Sequence, residues 1–462
     1  MKNYEPEKVY KLIPSQNTMW LMLKYSLHKN VLQIPSSITL GTNLDFGLLT
    51  KALNIEIARN DCMRLRFRKN GDDVEQYFIP EYRVENVPVM RFRTEEEQEE
   101  YLGKQAKIPV RFFKGETFRI VFFRSFDDGC GIFLNVSHLI MDAGAVSVFY
   151  MDLLSVYKAL ATHSDLPKPL HKFEDYIVKE FTQLADKEAF AKHAAFYKDF
   201  WLKDGPCFYA GVHGPDILIK ERKKRKDPNL GVPHGAYNPL KDKSGLLTYH
   251  MDHDTSEKII KYCKENLLPP EILFQLGYRA HVSQLNFRTD NTMSMQLCNK
   301  RITYKEKQMG GCITQPLQVR CILKEEYTFK QALDVINGVR NTLFRHVDFP
   351  YLAARKIQMD CFGYGTLDAP NFMMYTWLPI PTELPGGIKF TYKGYNMGNY
   401  CMPLYTFTYP NGDGLNFNYL HRIAEITPQH LDSLHKNMVK VVLAGIDNPE
   451  LTFGELMDLC AK

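Results

Sequence analysis

No C-x-x-C pair, no signal-like apolar opening, no membrane-length apolar run and no strong excess of either charge stand out in this chain of 462 residues. Each absence removes a class of protein. The ten cysteines (62, 130, 207, 263, 298, 312, 321, 361, 401 and 460) are diluted through a chain too long to need disulfide staples, and they read as reduced thiols. The opening MKNYEPEKVYKLIPSQ lacks the apolar core of a signal, and no stretch of ~18 apolar residues is available to span a bilayer. A cytoplasmic protein with no membrane span is therefore expected. Lys and Arg number 58 against 53 Asp and Glu, for a net charge of +5. That field is too weak over such a length for nucleic acid, which calls for a concentrated basic face. Internal repeats and low-complexity tracts are missing as well.

What the chain does contain is core material: 45% of its residues are apolar and 13% aromatic. Disordered, collagenous and coiled-coil forms are excluded on that composition. Single cores stop growing near ~250–300 residues, so the length predicts about three units or two large lobes. Periodicity then sketches the elements. Positions 19, 20, 22, 23 and 27 are apolar on one helical face, residues 31–40 read as a strand, and Phe46, Leu49, Leu53 and Ile57 lie at helical spacings within 45–60. Residues 63–67 alternate as a strand before a hairpin signal at Asn70-Gly71, and the acidic run 95–100 opens another helix. The apolar segments 118–123 and 131–136, joined by Asp127-Asp128-Gly129, form a hairpin directed into the core. A helix follows to about Leu160, and the polar, proline-containing passage 162–169 is the predicted boundary between lobes. Two helices (173–184 and 187–201) open the second half, residues 204–244 are expected to be an irregular Gly/Pro/Lys-rich segment, and the chain closes on a helix at 428–444.

The chemistry is expected at the exit of the core hairpin. His138 follows the strand, Asp142 comes four residues later and Gly144 opens the next helix. A strand end aims an imidazole at a cavity, and a histidine near its ordinary pKa can take a proton at neutral pH while a carboxylate orients its surroundings. The pentapeptide alone equally describes a satisfied core histidine or a chance pair on a helix.

The order of features around it resembles the condensation domains of nonribosomal peptide synthetases, within the chloramphenicol-acetyltransferase-like acyltransferase superfamily. Ile13-Pro14-Ser15-Gln16 is similar to the family's opening proline-serine-x-x-glutamine stretch, and Met63-Arg64-Leu65-Arg66-Phe67 to its arginine-containing strand. Ser137-His138-x-x-x-Asp142 resembles the His-His-x-x-x-Asp-Gly signature, with Ser137 in place of the first histidine and Ala143 in place of the glycine, Gly144 standing one step later. Phe196 to Trp201, Phe329 to Ile357 with His346-Val-Asp348-Phe-Pro350, Asn371 to Trp377, Leu415 to Tyr419 and Asn448-Pro449-Glu450 resemble later segments in the family's order.

The resemblance implies an α/β fold of two chloramphenicol-acetyltransferase-like lobes, about residues 1–172 and 173–462, in a V-shaped pseudo-dimer with a central tunnel. It implies that His138 is catalytic, either taking the proton from the nucleophile or holding the nucleophile and the developing tetrahedral species in place, and that Asp142 is structural and pairs with an arginine of a neighbouring strand. Arg64 is the candidate for that arginine and Arg66 the fallback. Ser137 and Gly144 complete the surroundings. No metal or organic cofactor is implied, since the phosphopantetheine or coenzyme A thioester is a substrate. The activity implied is acyl transfer from a carrier-protein thioester to an amine, giving an amide. The alternatives are an O-acyltransferase using coenzyme A or a carrier with an alcohol, and an inactive scaffold that binds a carrier or partner enzyme. With no adenylating or carrier module matched in the chain, the donor is expected to arrive on another molecule.

Other features read more simply. His250-Met-Asp252-His253-Asp254 has metal-ligand residue types, but Asp254 and Glu257 are spaced as a capping box for a helix at Thr255. His346 and Asp348 are expected to fix a turn. The basic run Lys220–Lys226 is expected in a solvated loop, with an acidic carrier or a coenzyme A phosphate as the alternative contact. Gly310-Gly311 and Gly386-Gly387 read as turns in segments that, by the resemblance, cross between lobes or floor the tunnel.

Overall fold

Two open six-stranded sheets, each backed by helices, account for most of the chain, and the computed structural model describes residues 5–208, 211–231, 239–288, 293–365, 373–378, 380–381, 383–384 and 387–461. The first sheet grows from the predicted hairpin, Phe118–Arg124 against Cys130–Ser137. Every residue of Cys130–Ser137 is buried, because both faces of the strand are covered. Ile132, Leu134 and Val136 face the main core, where the helices Phe46–Arg59 and Ala143–Thr162 pack together. Phe133 faces the other way, into a smaller cluster with Leu102 and Ala106 of the helix Glu95–Lys107. Burying each such side chain contributes roughly 1.5–3 kcal/mol, which makes this strand a fixed platform for whatever follows it.

Gln33–Leu40 pairs antiparallel with Cys130–Ser137, and Val89–Arg91 completes one edge in parallel with Phe118–Arg124. The other edge is supplied from far along the chain. Ile388–Gly394 pairs antiparallel with Gln33–Leu40, with Tyr392 opposite Ile38, and Glu383–Leu384 lies outside it. A small third sheet joins Tyr10–Lys11, Asp73–Phe78 and Leu65–Asn70, with Gly71 at φ +59° in the turn that the Asn-Gly signal marks.

The second sheet runs Thr314–Arg320, Met293–Asn299, Met374–Trp377, Leu404–Asn411, Gly414–Arg422 and Ser244–Met251. Helices Pro270–Leu285, Phe329–Phe344 and Pro428–Asp447 cover its outer face, their apolar sides sharing one core with Phe417 and Tyr419. Thr328, Thr427 and Thr452 each begin a helix with a reciprocal capping box, which explains the sharp starts.

Three local expectations need correction. The basic run is not in an irregular loop: it lies almost wholly in the helix Asp216–Arg225, where cations near the C-terminal end favour the helix dipole. The helix expected at Thr255 starts earlier, at His253, because Asp252 rather than Asp254 accepts the Thr255 N–H at 2.9 Å. The apolar helix Ala143–Thr162 has the length and hydropathy of a membrane span, though no such run stood out in the sequence, and half of it is buried in the first lobe. Asn371, Phe372 and Gly386 lie outside the described residues.

Candidate active site

The end of strand Cys130–Ser137 delivers His138 to the space between the two sheets. Ser137 turns the chain there, its hydroxyl accepting the Leu139 N–H at 3.3 Å. His138 is half-buried, and with Ala143 and Gly144 it lines a cavity of about 790 Å³. The opposite wall comes from the second lobe, including Asn299, Arg301 and Thr314. Cys312, also from the second lobe, places its Sγ 3.6 Å from His138 Nδ1. Burial pushes the imidazole below the ordinary histidine value, the Asp142 carboxylate holds it partly up, and a hydrogen bond to its own main chain acts the same way. The shift favours the neutral ring, the form that can accept a proton. Burial pushes the Cys312 thiol well above its ordinary value, so it remains a neutral neighbour.

Both carboxylate oxygens of Asp142 are engaged. Its Oδ1 caps the helix Ala143–Thr162 by accepting the Ala145 N–H at 2.8 Å, and it also accepts from Arg301 Nη2 at 3.1 Å. Its Oδ2 accepts the Ile313 N–H at 2.9 Å. One buried carboxylate thus joins the first lobe's helix to two points of the second lobe.

The arginine in this arrangement is Arg301, not Arg64 or Arg66. Arg64 Nη1 donates to the carbonyls of Ile57 and Ala58, both at 2.6 Å, and its Nε to Ile79. Residues 61–64 form a short 3-10 turn before the strand Leu65–Asn70 starts, so Arg64 closes the C-terminal end of the helix Phe46–Arg59. Arg66 is buried and donates to the carbonyls of Met63 and Leu65, with its guanidinium over the Tyr82 ring. Arg301 also donates to the carbonyls of Met309, Gly310 and Gly311, and so fixes the crossing segment. That segment touches the first lobe directly, with Met141 bridged to Gly311. Gly311 has φ +92°, and a Cβ there would come within 2.1 Å of the Phe173 ring, so glycine is required on both counts.

Gly144 answers a different constraint. A Cβ at 144 would lie 2.2 Å from Asn299 Nδ2 and 2.8 Å from Arg301 Nε. The tight backbone approach therefore falls at 144, while Ala143 is accommodated on the cavity wall.

The other motif residues sit elsewhere. His346 Nδ1 is 2.8 Å from His193 Nδ1, and its ring stacks on Phe196 at 3.6 Å. Asp348 is 3.7 Å from Lys300, whose principal partner is the buried Glu180 at 2.7 Å. His250 meets Asn416, and among the described residues no group of three or more His, Cys, Asp or Glu is placed to hold a metal ion. Arg301 and Cys312 were not legible as site residues: Arg301 follows a strand end with no motif of its own, and Cys312 is marked only by the preceding Gly-Gly.

Solved structures share this architecture over almost the whole chain. The first condensation domain of the calcium-dependent antibiotic synthetase, in complex with a substrate analogue, superposes with a TM-score of 0.82 at 13% identity, covering 98% of this chain and 99% of that one. The starter condensation domain of rhizomide synthetase in complex with C8-CoA gives 0.77 at 13% identity, covering 96% of each. These likenesses define the fold as mixed α/β with two chloramphenicol-acetyltransferase-like lobes and open sheets. The Condensation domain family model matches residues 6–358, and the chain belongs to that family of acyltransferases. Curated relatives include surfactin synthase subunit 1 of Bacillus subtilis (strain 168), 23% identical over 74% of this chain, and surfactin synthase subunit 2 of the same organism, 19% identical over 99%. The chain spans only 9% and 12% of the length of these two relatives.

Proposed function

We propose that this chain transfers an acyl group from a phosphopantetheine thioester on a carrier protein to an amine, forming an amide, with His138 as the group that handles the proton. The observation that carries the reading is the position of His138 on the wall of an interlobe cavity, its Nδ1 against Cys312 and its Nε2 with no side-chain partner among the described residues. In the proposed step the amine nitrogen attacks the thioester carbonyl carbon. The C–N bond forms, the C–S bond breaks, and His138 Nε2 takes the nitrogen's proton and returns it to the departing thiolate. Holding two reactants in one cavity can supply roughly 7–11 kcal/mol of the barrier, so the histidine needs no extreme basicity. Asp142 and Arg301 act on this step through position, by keeping the strand end and the crossing segment together.

Coenzyme A as the carrier of the acyl group is the second reading, favoured by the likeness to a starter condensation domain solved with C8-CoA. A single experiment addresses both. The purified chain is given acyl-loaded carrier protein or the matching acyl-coenzyme A, with panels of amines and alcohols, and products are followed by mass spectrometry against His138→Ala. Amide formation above the variant is expected, fastest from the carrier. Faster turnover from coenzyme A would select the second reading, ester products would select an O-acyltransferase, and no transfer from either donor would leave a binding scaffold.

A further inference from the structure

The cavity does not stop at the interlobe space. Strand Met293–Asn299 pairs with Thr314–Arg320 along its whole length, but with Met374–Trp377 only at Met295 and Gln296. Beyond Gln296 the second ladder ends, and the sheet has a gap. Leu297 from one face and Gln296 and Cys298 from the other all line the cavity there. Through the gap it reaches Glu271 and Arg340, which stand on the helices Pro270–Leu285 and Phe329–Phe344 behind the sheet.

We propose that this through-sheet arm is a binding pocket for a mainly apolar substrate side group that ends in a neutral hydrogen-bond donor, a hydroxyl or a carboxamide. Its walls suit such a group. Trp377 lies parallel to Phe274, and Phe344 lies beneath the Arg340 guanidinium at 4.3 Å, so the sides of the arm are largely aromatic. Its end is polar and half-satisfied. Glu271 is only 6% exposed, and its Oε1 accepts from Arg340 Nη2 at 2.7 Å and from Gln296 Nε2 at 3.1 Å. Its Oε2 has no protein donor among the described residues. That oxygen is open to the cavity rather than sealed in the core, so a donor on the ligand can reach it and make a charge-assisted hydrogen bond there. Charge decides between donors. Arg340 neutralises Glu271, so an incoming carboxylate is repelled by Glu271 and an incoming ammonium by Arg340, whereas a neutral O–H or N–H meets neither penalty. The part this pocket plays in turnover rests on the acyl-transfer reading, but its occupancy does not, and the two fail separately.

The three tryptophans, 20, 201 and 377, make the pocket directly observable, because only Trp377 lines the arm. The full chain labelled with fluorotryptophan is followed by fluorine NMR, with Trp377→Phe assigning the signal, and titrated with para-cresol, para-methylanisole, para-toluate and para-methylbenzylamine. Para-cresol is expected to move the Trp377 signal saturably, with a midpoint at least tenfold below that of para-methylanisole. Glu271→Gln is expected to erase that preference while the signal of the fully buried Trp201 stays in place. If that variant does not fold, the ratio in the unaltered chain decides. An unmoved Trp377 signal up to the solubility of para-cresol, equal binding of the anisole, or tighter binding of the toluate or the amine would each overturn the proposal.

Discussion

Removing the Asp142–Arg301 contact should cost more than a surface ion pair, and the cost should be shared between the two residues. The pair is 3.1 Å apart with side chains only 2% and 6% exposed. Stripping one partner from a buried pair typically costs ~3–5 kcal/mol, because the remaining charge is stranded. Asp142→Asn keeps an oxygen to cap the helix Ala143–Thr162 but loses the charge that faces Arg301. Arg301→Met strands Asp142 and frees the carbonyls of Met309, Gly310 and Gly311. Each single variant should lose ~3 kcal/mol or more of a total that for a folded domain is about 5–15 kcal/mol. The double variant should fall short of the sum by ~2–3 kcal/mol, the upper range for residues in contact. Urea unfolding of the four proteins in the cycle gives the coupling. Asp142→Asn combined with Arg64→Met serves as the control and should be additive within ~0.5 kcal/mol, because those residues share no partner. Additivity in the Arg301 cycle, or coupling in the Arg64 cycle, would refute the assignment of Arg301 as the cross-lobe partner.

Three further outcomes are expected. The acid limb of the pH–rate profile should have its midpoint below the ordinary histidine value of 6.5, because burial favours neutral His138, and Asp142→Asn should move it lower still by removing the charge that raises it; a midpoint above 6.5 contradicts this. Gly144→Ala should cost ~1–3 kcal/mol in urea and reduce turnover by displacing Arg301, whereas Gly338→Ala, with open space around its Cβ inside the helix Phe329–Phe344, should stabilise by ~0.4–1 kcal/mol. His281 is 2% exposed and burial, with His430 nearby, pushes its pKa down to about 4. The unfolded chain therefore binds a proton that the folded one refuses as pH falls from 6.5, and stability should drop on acidification by up to about 3 kcal/mol by pH 4 from this group. His281→Leu should flatten the dependence of urea unfolding on pH over that range.

Legibility followed the range of the interactions. The core hairpin, its Asp-Asp-Gly turn and the helix after Asp142 could be read because apolar period, turn chemistry and capping are local to a few residues, and the structure has them at 118–124, 130–137 and 143–162. The placement of His138 at a strand end followed from the same local pattern. The partner of Asp142 did not, since Arg301 lies 159 positions away and nothing in its neighbourhood marks it. Arg64 looked suitable because it matches the place of an arginine in the family's strand, yet the 3-10 turn at 61–64 redirects it to the carbonyls that end the preceding helix. The basic run misled for another reason: its composition signalled solvation, which a short exposed helix satisfies as well as a loop. The strand Ile388–Gly394 shows the same limit at the level of topology, because its partner, Gln33–Leu40, comes from the other end of the chain.

The central claim is that His138 moves the proton during acyl transfer inside the interlobe cavity. The most direct measurement is the single-turnover rate of amide formation from an acyl-loaded carrier by the unaltered chain and by His138→Ala, at a pH where the imidazole is neutral and with unfolding curves showing both proteins folded. A fall of about 10²-fold or more is predicted, the usual contribution of a positioned acid–base group. An unchanged rate in the variant would contradict the account.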